Sequence, residues 1–205
     1  RRMIDRVSVA MGIEKGEYAQ RIFPVAGNHD VDRDTLTDVD IEDANLKTAK
    51  DIDKLNELFI SDEEEAHQRK ERVLTRSEPY CDFVRELWNK PKLTNDEVLW
   101  YHTSAPIIGS TGEFHVVGLN SAWLCHSHWV ARMKGTDQEK EGEITSHLTL
   151  CEAMVDKCFK EVSKEDDLII SLMHHDYGRT RDENSGIKHQ LERSCDFILS
   201  GHENN

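Results

Sequence analysis

Apolar residues recur at helical spacing in some stretches of this chain and form short unbroken runs in others. Residues 3–20 have helical spacing, and the apolar run 21–26 predicts a buried strand that ends at a turn at Gly27. Residues from about 38 to 95 also have helical spacing but are strongly acidic, and we interpret them as a helical insertion. A solvated insertion covering one edge of the domain is favoured, because runs of charge usually face water. A cap that shapes access to a site is the alternative.

The rest of the chain predicts strands and helices in alternation. A set of apolar residues between Leu148 and Val162 follows i, i+3, i+4 spacing, which predicts an amphipathic helix. Such alternation favours an α/β layer architecture over an all-α or all-β fold. The predicted strands are 98–101, 114–119, 168–173 and 196–199, with a Gly/Ser/Thr turn at 109–112 and a further helix near 188–193.

Length and composition restrict the class of protein. A chain of 205 residues suffices for one domain with its own core, so we expect a single domain over 1–205. The net charge of −14 disfavours anionic membranes and nucleic acid, which could bind only through a local patch or a metal. Five cysteines without CxxC spacing indicate thiols of a cytoplasmic protein rather than a disulfide framework. No apolar run approaches the roughly 20 residues that cross a bilayer, and no signal peptide is visible.

Polar motifs follow three of the apolar runs. The motif Gly-Asn-His-Asp occupies 27–30, His-His-Asp occupies 174–176, and Gly-His-Glu-Asn occupies 201–204. The carboxyl ends of strands in an open α/β sheet line up along one crevice. We therefore expect the three motifs to contribute to one site.

The side chains in these motifs suit a metal-dependent site. The neutral amide oxygen of Asn28 and the neutral imidazoles of His174 and His202 are ligands that zinc, iron or manganese accept. His29 cannot easily share the metal with its neighbour, so its natural role is to donate a proton to a leaving oxygen. Asp30 or another carboxylate would hold the His29 ring in orientation. The sequence thus predicts three metal ligands and two catalytic residues.

Further polar residues lie close to the second motif. Side chains alternate along an extended segment, so only one of His174 and His175 should face the metal, and we choose His174. His175 is then a supporting or substrate-binding group. Arg179 and Arg181 follow within a few residues and could clamp a phosphate, although a solvated loop is an equal alternative.

In order and spacing, the three motifs resemble the third, fourth and fifth signatures of the calcineurin-like metallophosphoesterases. The flanking sequences 25–33, 117–123 and 195–202 are similar to those of bacterial cytosolic members of that family. The resemblance covers most of the chain outside the acidic insertion. It implies a four-layer α/β/β/α sandwich with a two-metal centre of manganese, iron or zinc.

The resemblance also implies a reaction, in which a metal-bridging hydroxide attacks phosphorus in line with the departing alkoxide. By this resemblance Asn28, His174 and His202 would bind one of the two metals. His29 would stabilise or protonate the leaving oxygen. The implied substrate is a phosphomonoester or phosphodiester of a small molecule or nucleotide.

Two departures from the family pattern leave other functions open. Residues 1–26 contain neither the Asp-x-His nor the Gly-Asp signature, and Asn204 stands where the last signature has a second histidine. We expect the missing signatures upstream of the given sequence, and little turnover from the 205 residues alone. A metal-poor relative that acts as a protein-binding scaffold is one alternative. A nuclease is another, although the acidic charge argues against an extended nucleic-acid surface.

Overall fold

The computed structural model is a mixed α/β structure, as the alternation of the sequence patterns predicted. Its helices are α1 (Arg2–Ala10), α2 (Tyr18–Arg21), α3 (Ala49–Ile60), α4 (Glu64–Leu74), α5 (Glu78–Trp88), α6 (Asn95–Leu99), α7 (Glu152–Phe159) and α8 (Gly186–Ser194), with 3-10 turns at Lys15–Glu17 and Thr75–Ser77. Its strands are β1 (Tyr101–Pro106), β2 (Glu113–Leu119), β3 (Leu168–Met173) and β4 (Phe197–Ser200). The structure describes residues 2–32, 49–107, 109–125, 148–160, 162, 167–176, 178, 180 and 186–202.

The four strands form a mixed sheet in the order β1-β2-β3-β4. β1 is antiparallel to β2, whereas β2, β3 and β4 are mutually parallel. Each parallel connection contains a helix, α7 before β3 and α8 before β4, as parallel crossovers require. Leu119 pairs with Met173 and Met173 pairs with Ser200, so the three parallel strands end at the same edge of the sheet. The predicted strands 114–119, 168–173 and 196–199 are confirmed to within one residue at each end.

The predicted strand 98–101 is wrong at all but its last residue, because Val98 and Leu99 end helix α6 and Trp100 is its C-cap. Thr94 and Glu97 form a capping box in which the backbone N–H of Thr94 donates to the Glu97 carboxylate at 2.8 Å. Such a box stabilises a helix start. The strand begins only at Tyr101. The Thr-x-x-Glu spacing at 94–97 therefore indicates a helix start, although the apolar run after it also fits a strand.

The predicted strand 21–26 is also wrong, since residues 22–27 form no regular secondary structure. The indole N–H of Trp88 donates to the Ile22 carbonyl at 2.9 Å. This carbonyl therefore accepts a side-chain N–H where a strand would accept a backbone N–H from its neighbour. Pro24 has no backbone N–H to donate to a ladder. The predicted helix 3–20 is divided at Gly12, whose φ of +69° lies in the left-handed region.

The predicted amphipathic helix 148–162 is shorter than expected, although its apolar face is buried. Helix α7 starts at Glu152 because Cys151 has a φ of +63° and the preceding carbonyls serve other partners. The Thr149 and Leu150 carbonyls accept the indole N–H groups of two tryptophans. All the apolar positions of the predicted face are under 8 % exposed: Leu148, Cys151, Met154, Val155, Cys158, Phe159 and Val162.

The acidic helices α3, α4 and α5 are amphipathic rather than solvated on all sides. Helix α5 begins with a proline in its first turn and ends at Asn89, whose left-handed conformation terminates it. Its apolar residues recur at the helical period and face the sheet-containing core. The three helices contribute to that core the buried residues Leu55, Leu58, Val73, Leu74, Tyr80, Cys81, Val84, Leu87 and Trp88. The part of the predicted insertion from about 38 to 48 lies outside the described residues.

The cysteines and the helices of the described residues bear on two expectations from composition, thiols rather than a disulfide framework and no membrane-spanning run. All five cysteines are thiols, and four of them are buried. Burial raises the pKa of the Cys81 and Cys158 thiols to about 12, so both remain protonated at neutral pH. Within the part of the chain that the structure describes, no helix is both long enough and apolar enough to cross a membrane.

Asp96 on α6 forms ion pairs with lysines on α4 and α7, and these pairs make the free energy of unfolding depend on pH. Burial alone would raise the pKa of Asp96, but a hydrogen bond from Thr94 and the charges of Lys70 and Lys157 outweigh burial and hold it below its usual range. The two ammonium groups lie 3.8 and 3.7 Å from the Asp96 carboxylate. A carboxyl whose pKa is lower in the folded state than in the unfolded state stabilises the fold at pH values above the unfolded pKa. This stabilisation is lost as the pH falls through the folded pKa.

We therefore expect Asp96→Asn to lower the free energy of unfolding at pH 7 by about 1 kcal/mol. The difference between wild type and variant should begin to shrink below about pH 4, where the carboxyl of the unfolded wild type becomes protonated, and should be lost below the lower pKa of the folded state. Urea unfolding at pH 7 and pH 3 measures both values. The exposed Asp156→Asn on α7 is the matched control and should change neither. A difference that persists unchanged at pH 3 would contradict the electrostatic explanation.

Candidate metal centre

The candidate site lies at the carboxyl ends of the three parallel strands. β2 continues into Asn120 and Ser121, β3 into His174, and β4 into Gly201 and His202. The backbone N–H of Gly201 donates to the His174 carbonyl at 3.1 Å, which ties two of these strand ends together. His202 has a φ of +57°, an uncommon conformation for a residue with a side chain. Backbone of this kind concentrates at functional sites.

The three predicted metal ligands come together at this edge. The His174 Nε2 atom lies 3.2 Å from Asn28 Oδ1 and 3.0 Å from His202 Nδ1. Ligands about 2.1 Å from a shared cation and at right angles to one another are about 3 Å apart. The spacing and the neutral nitrogen and oxygen donors therefore fit one divalent ion of the zinc, iron or manganese type.

A third imidazole belongs to the same cluster. The ligand atoms of His174, His175 and His202 all lie within 4.8 Å of one another. The His175 ring centroid is 4.6 Å from the centroids of both other rings. The expectation that only one of the two neighbouring histidines faces the site assumed an extended chain. The chain bends at 174–175 as soon as β3 ends, so strict alternation does not apply.

The environment of His174 favours its neutral, ligating form. Burial lowers the pKa of His174, the neighbouring His202 and His29 lower it further, and the Asp30 carboxylate opposes them. The net effect is a pKa below the ordinary value of about 6.5. A neutral imidazole at pH 7 retains the nitrogen lone pair that a metal requires.

Asp30 shapes the loop that carries Asn28. Its carboxylate accepts the backbone N–H of Gly27 at 2.9 Å, and its own N–H donates to the Gly27 carbonyl at 3.0 Å. These bonds close the turn over 27–30. The expected hydrogen bond from the His29 ring N–H to the Asp30 carboxylate is not among the contacts of the described residues. His29 is exposed beside the cluster, where it can reach a ligand from solvent.

Two residues that sequence analysis did not single out support the site. The buried Arg76 donates from Nη2 to the Trp123 carbonyl at 2.8 Å, while its own carbonyl accepts the N–H of Asp32 at 2.9 Å. The 3-10 turn between α4 and α5 therefore links Asp32, at the end of the 27–32 loop, to Trp123 in the segment that follows β2. Ser121 contacts His175 in the same segment. No local pattern marks either residue, because their partners are distant in sequence.

Gly27 is required by close approach rather than by backbone conformation. A Cβ atom at this position would lie 2.9 Å from the His174 ring, which is too close without movement. We expect Gly27→Ala to displace His174 and to weaken Mn²⁺ or Zn²⁺ binding by about tenfold or more, as loss of ligand orientation does. Isothermal titration calorimetry measures the affinity. Gly16→Ala is the matched control, since nothing lies within 4 Å of its added Cβ. Equal affinities in both variants would contradict the assigned role of Gly27.

Several predicted residues lie outside the described part of the chain. Arg179, the predicted phosphate clamp, is one of them, as are Arg181 and Asn204. Their roles remain predictions.

Comparison of this chain with models of protein families, with curated proteins and with solved structures gives no match.

Proposed function

We propose that this protein is a metal-dependent phosphoesterase that hydrolyses a phosphomonoester or phosphodiester. The observation that carries the proposal is the convergence of Asn28, His174 and His202 from three separate segments to hydrogen-bonding distance. His174 and His202 follow the carboxyl ends of parallel strands, where α/β proteins bind ligands. The resemblance to calcineurin-like signatures supplies the reaction class. The four-layer α/β/β/α arrangement and the second metal of that family belong to the same proposal.

The donor set explains why an anionic substrate suits this site. Asn28, His174 and His202 are all neutral ligands, so they leave the positive charge of a divalent cation uncompensated. A bound divalent cation supplies Lewis-acid stabilisation of a phosphoryl oxygen and lowers the pKa of water. The exposed His29 would donate a proton to the departing oxygen. Asp30 would keep the turn over 27–30 closed and so keep Asn28 aimed at the cluster.

The test is metal analysis together with hydrolysis by the full-length protein in the presence of Mn²⁺. We expect turnover of p-nitrophenyl phosphate or bis(p-nitrophenyl) phosphate. Asn28→Ala should reduce both metal content and kcat/KM by about 100-fold or more, beyond the effect of losing a supporting residue. Asn28→Asp retains an oxygen ligand and should recover part of the metal content.

Three outcomes separate the candidate functions. Mn²⁺-dependent hydrolysis that is lost in Asn28→Ala supports the phosphoesterase. Full-length protein that takes up no metal and hydrolyses neither ester overturns it in favour of a protein-binding scaffold. Hydrolysis that requires nucleic acid, with salt-dependent affinity for DNA, would instead support a nuclease.

A further inference from the structure

We propose that His102, His115 and Asp167 form a pH-sensitive clamp, in which one hydrogen shared by the two imidazoles holds β1 in the sheet and protonation of both imidazoles opens it. His102 lies on β1, His115 on β2, and Asp167 directly before β3. His115 and Asp167 lie near the amino ends of their strands, whereas the candidate metal centre follows the carboxyl ends. The clamp therefore does not rest on the proposed function.

A series of hydrogen bonds joins the three residues across the sheet. His102 Nε2 lies 2.8 Å from His115 Nδ1, and His115 Nε2 lies 3.0 Å from Asp167 Oδ2. The other Asp167 oxygen accepts the backbone N–H of Glu113 at 2.8 Å. The side chains of His115 and Asp167 are only 3 % and 2 % exposed. The clamp thus ties β1 to β2 and to the segment before β3 through bonds that are shielded from solvent.

The contact between the two imidazoles requires a single hydrogen. The ring centroids are 5.1 Å apart and the ring planes differ by 19°, so at a nitrogen separation of 2.8 Å the rings meet end to end. In this geometry an N–H of one ring donates to the in-plane lone pair of the other. A charged imidazole carries hydrogens on both nitrogens, so two charged rings would set one N–H against another and lose the bond. This holds for either direction of the bond and for any further contact of His102.

The buried carboxylate compensates one positive charge on the clamp. Asp167 lies against His115, and a buried charge needs a partner of opposite sign. The nearest other carboxylate is that of Glu113, with an oxygen 3.8 Å from His115 Nε2, and its side chain is 40 % exposed. Solvent screens an exposed carboxylate, so Glu113 contributes little toward a second charge.

The groups that face His102 from the neighbouring helices also disfavour a second charge. His102 lines a cavity at the edge of the sheet, which gives protons a route to the ring. The other titratable residues that line it, among those described, are Lys90, Glu97, Tyr101, Lys157, Cys158 and Lys160. Burial raises the pKa of Tyr101 and raises that of Cys158 to about 12, so both stay neutral. Counting Asp96, which pairs with Lys157, three ammonium groups stand against two carboxylates.

Acid therefore acts against the folded clamp. An ordinary histidine has a pKa of about 6.5, so both imidazoles of the unfolded chain are charged at about pH 5. The folded clamp holds at most one charged imidazole while its hydrogen bond lasts. The unfolded state thus binds at least one proton more than the folded state. By linkage, the clamp raises the unfolding equilibrium constant about tenfold for each pH unit of acidification in this range.

The first experiment detects the shared hydrogen in the wild-type full-length protein. Two nitrogens joined by one hydrogen show a scalar coupling across the bond in ¹⁵N spectra. We expect this coupling between His102 Nε2 and His115 Nδ1 at pH 7, and its loss in acid together with reduced hydrogen-exchange protection of β1. Absence of the coupling at pH 7 would overturn the clamp. Two charged imidazoles with β1 still fully protected would do so as well.

The second experiment measures the dependence of unfolding on pH. In His102→Gln the side-chain amide can donate to His115 or accept from it without carrying charge. Between pH 6 and pH 5 the unfolding equilibrium constant of His102→Gln should therefore rise about tenfold less than that of the wild type. His67→Gln is the matched control, because His67 is exposed on α4, and it should follow the wild type. Equal dependence on pH in the wild type and His102→Gln, measured by urea unfolding, would refute the proposal.

Discussion

Replacing His174 by alanine is expected to abolish metal binding at the candidate centre. The His174 Nε2 atom lies 3.2 Å from Asn28 Oδ1 and 3.0 Å from His202 Nδ1, so this substitution removes the predicted ligand that lies next to both of the others. Loss of a supporting group typically costs about 10-fold to 100-fold in metal affinity. Loss of this ligand should therefore cost more than about 100-fold. Calorimetric titration with Mn²⁺ and Zn²⁺, and metal analysis of the purified full-length protein, measure the effect.

The control for this prediction is another histidine. His189 on α8 is exposed and far from the three motifs in sequence, so His189→Ala should bind metal as the wild type does. Circular dichroism should show that both variants retain their helices and strands. Metal content that stays stoichiometric in His174→Ala would refute the assigned ligand set and with it the proposed function.

Lower pH should weaken metal binding in the wild type. Protons compete with the cation for the imidazole lone pairs. Because burial and the neighbouring imidazoles lower the pKa of His174, this competition sets in at lower pH than for an ordinary histidine. Titration of Mn²⁺ affinity between pH 8 and pH 5 in the same calorimetric series tests the sign of the effect.

Trp123→Ala is expected to cause the largest loss of stability, about 3–5 kcal/mol in the free energy of unfolding. The Trp123 ring is 1 % exposed and makes edge-on contacts with Phe59 and Trp100, at centroid distances of 5.1 and 6.2 Å. Its indole N–H donates to the Thr149 carbonyl at 3.0 Å. The substitution therefore leaves a cavity and removes the indole hydrogen bond to the Thr149 carbonyl. Urea unfolding followed by circular dichroism measures the change.

The comparison variant for Trp123 is an aromatic residue at the surface. Phe197 on β4 is 53 % exposed, so Phe197→Ala should cost less than about 1 kcal/mol. Total stabilities of single domains are about 5–15 kcal/mol, so the Trp123 variant should lose a large part of its margin. Similar midpoints for the two variants would show that the aromatic cluster around Trp123 does not stabilise the core.

The sequence patterns located the three parallel strands β2, β3 and β4 better than the other elements. β2 and β3 are short apolar runs between polar loops, which is the composition expected of central parallel strands. The same criterion failed at 21–26 and 98–101, because a short apolar run does not by itself distinguish a strand from a helix end or an irregular buried segment. Pairing decides between these structures, and pairing depends on residues far along the chain.

Some features of the candidate site could also be predicted from the sequence, whereas others could not. Asn28, His174 and His202 each stand at the end of an apolar run, so residue type and position alone pointed to them. The turn made by Asp30 and the steric demand at Gly27 became visible only with the coordinates. The role of Ser121 depends on a contact across 54 positions of the chain. No local pattern carries that information.

By itself, the sequence determined the class of fold, the central strands and which polar groups could ligate a metal, because these follow from residue type and local periodicity. Tertiary structure alone decided how those groups meet, that Ser121 contacts His175 and that the turn at Arg76 contacts the loop at 27–32. The physical reason is that hydrogen-bond direction, burial and close approach belong to pairs of residues brought together by folding. They are not properties of either residue in its own segment.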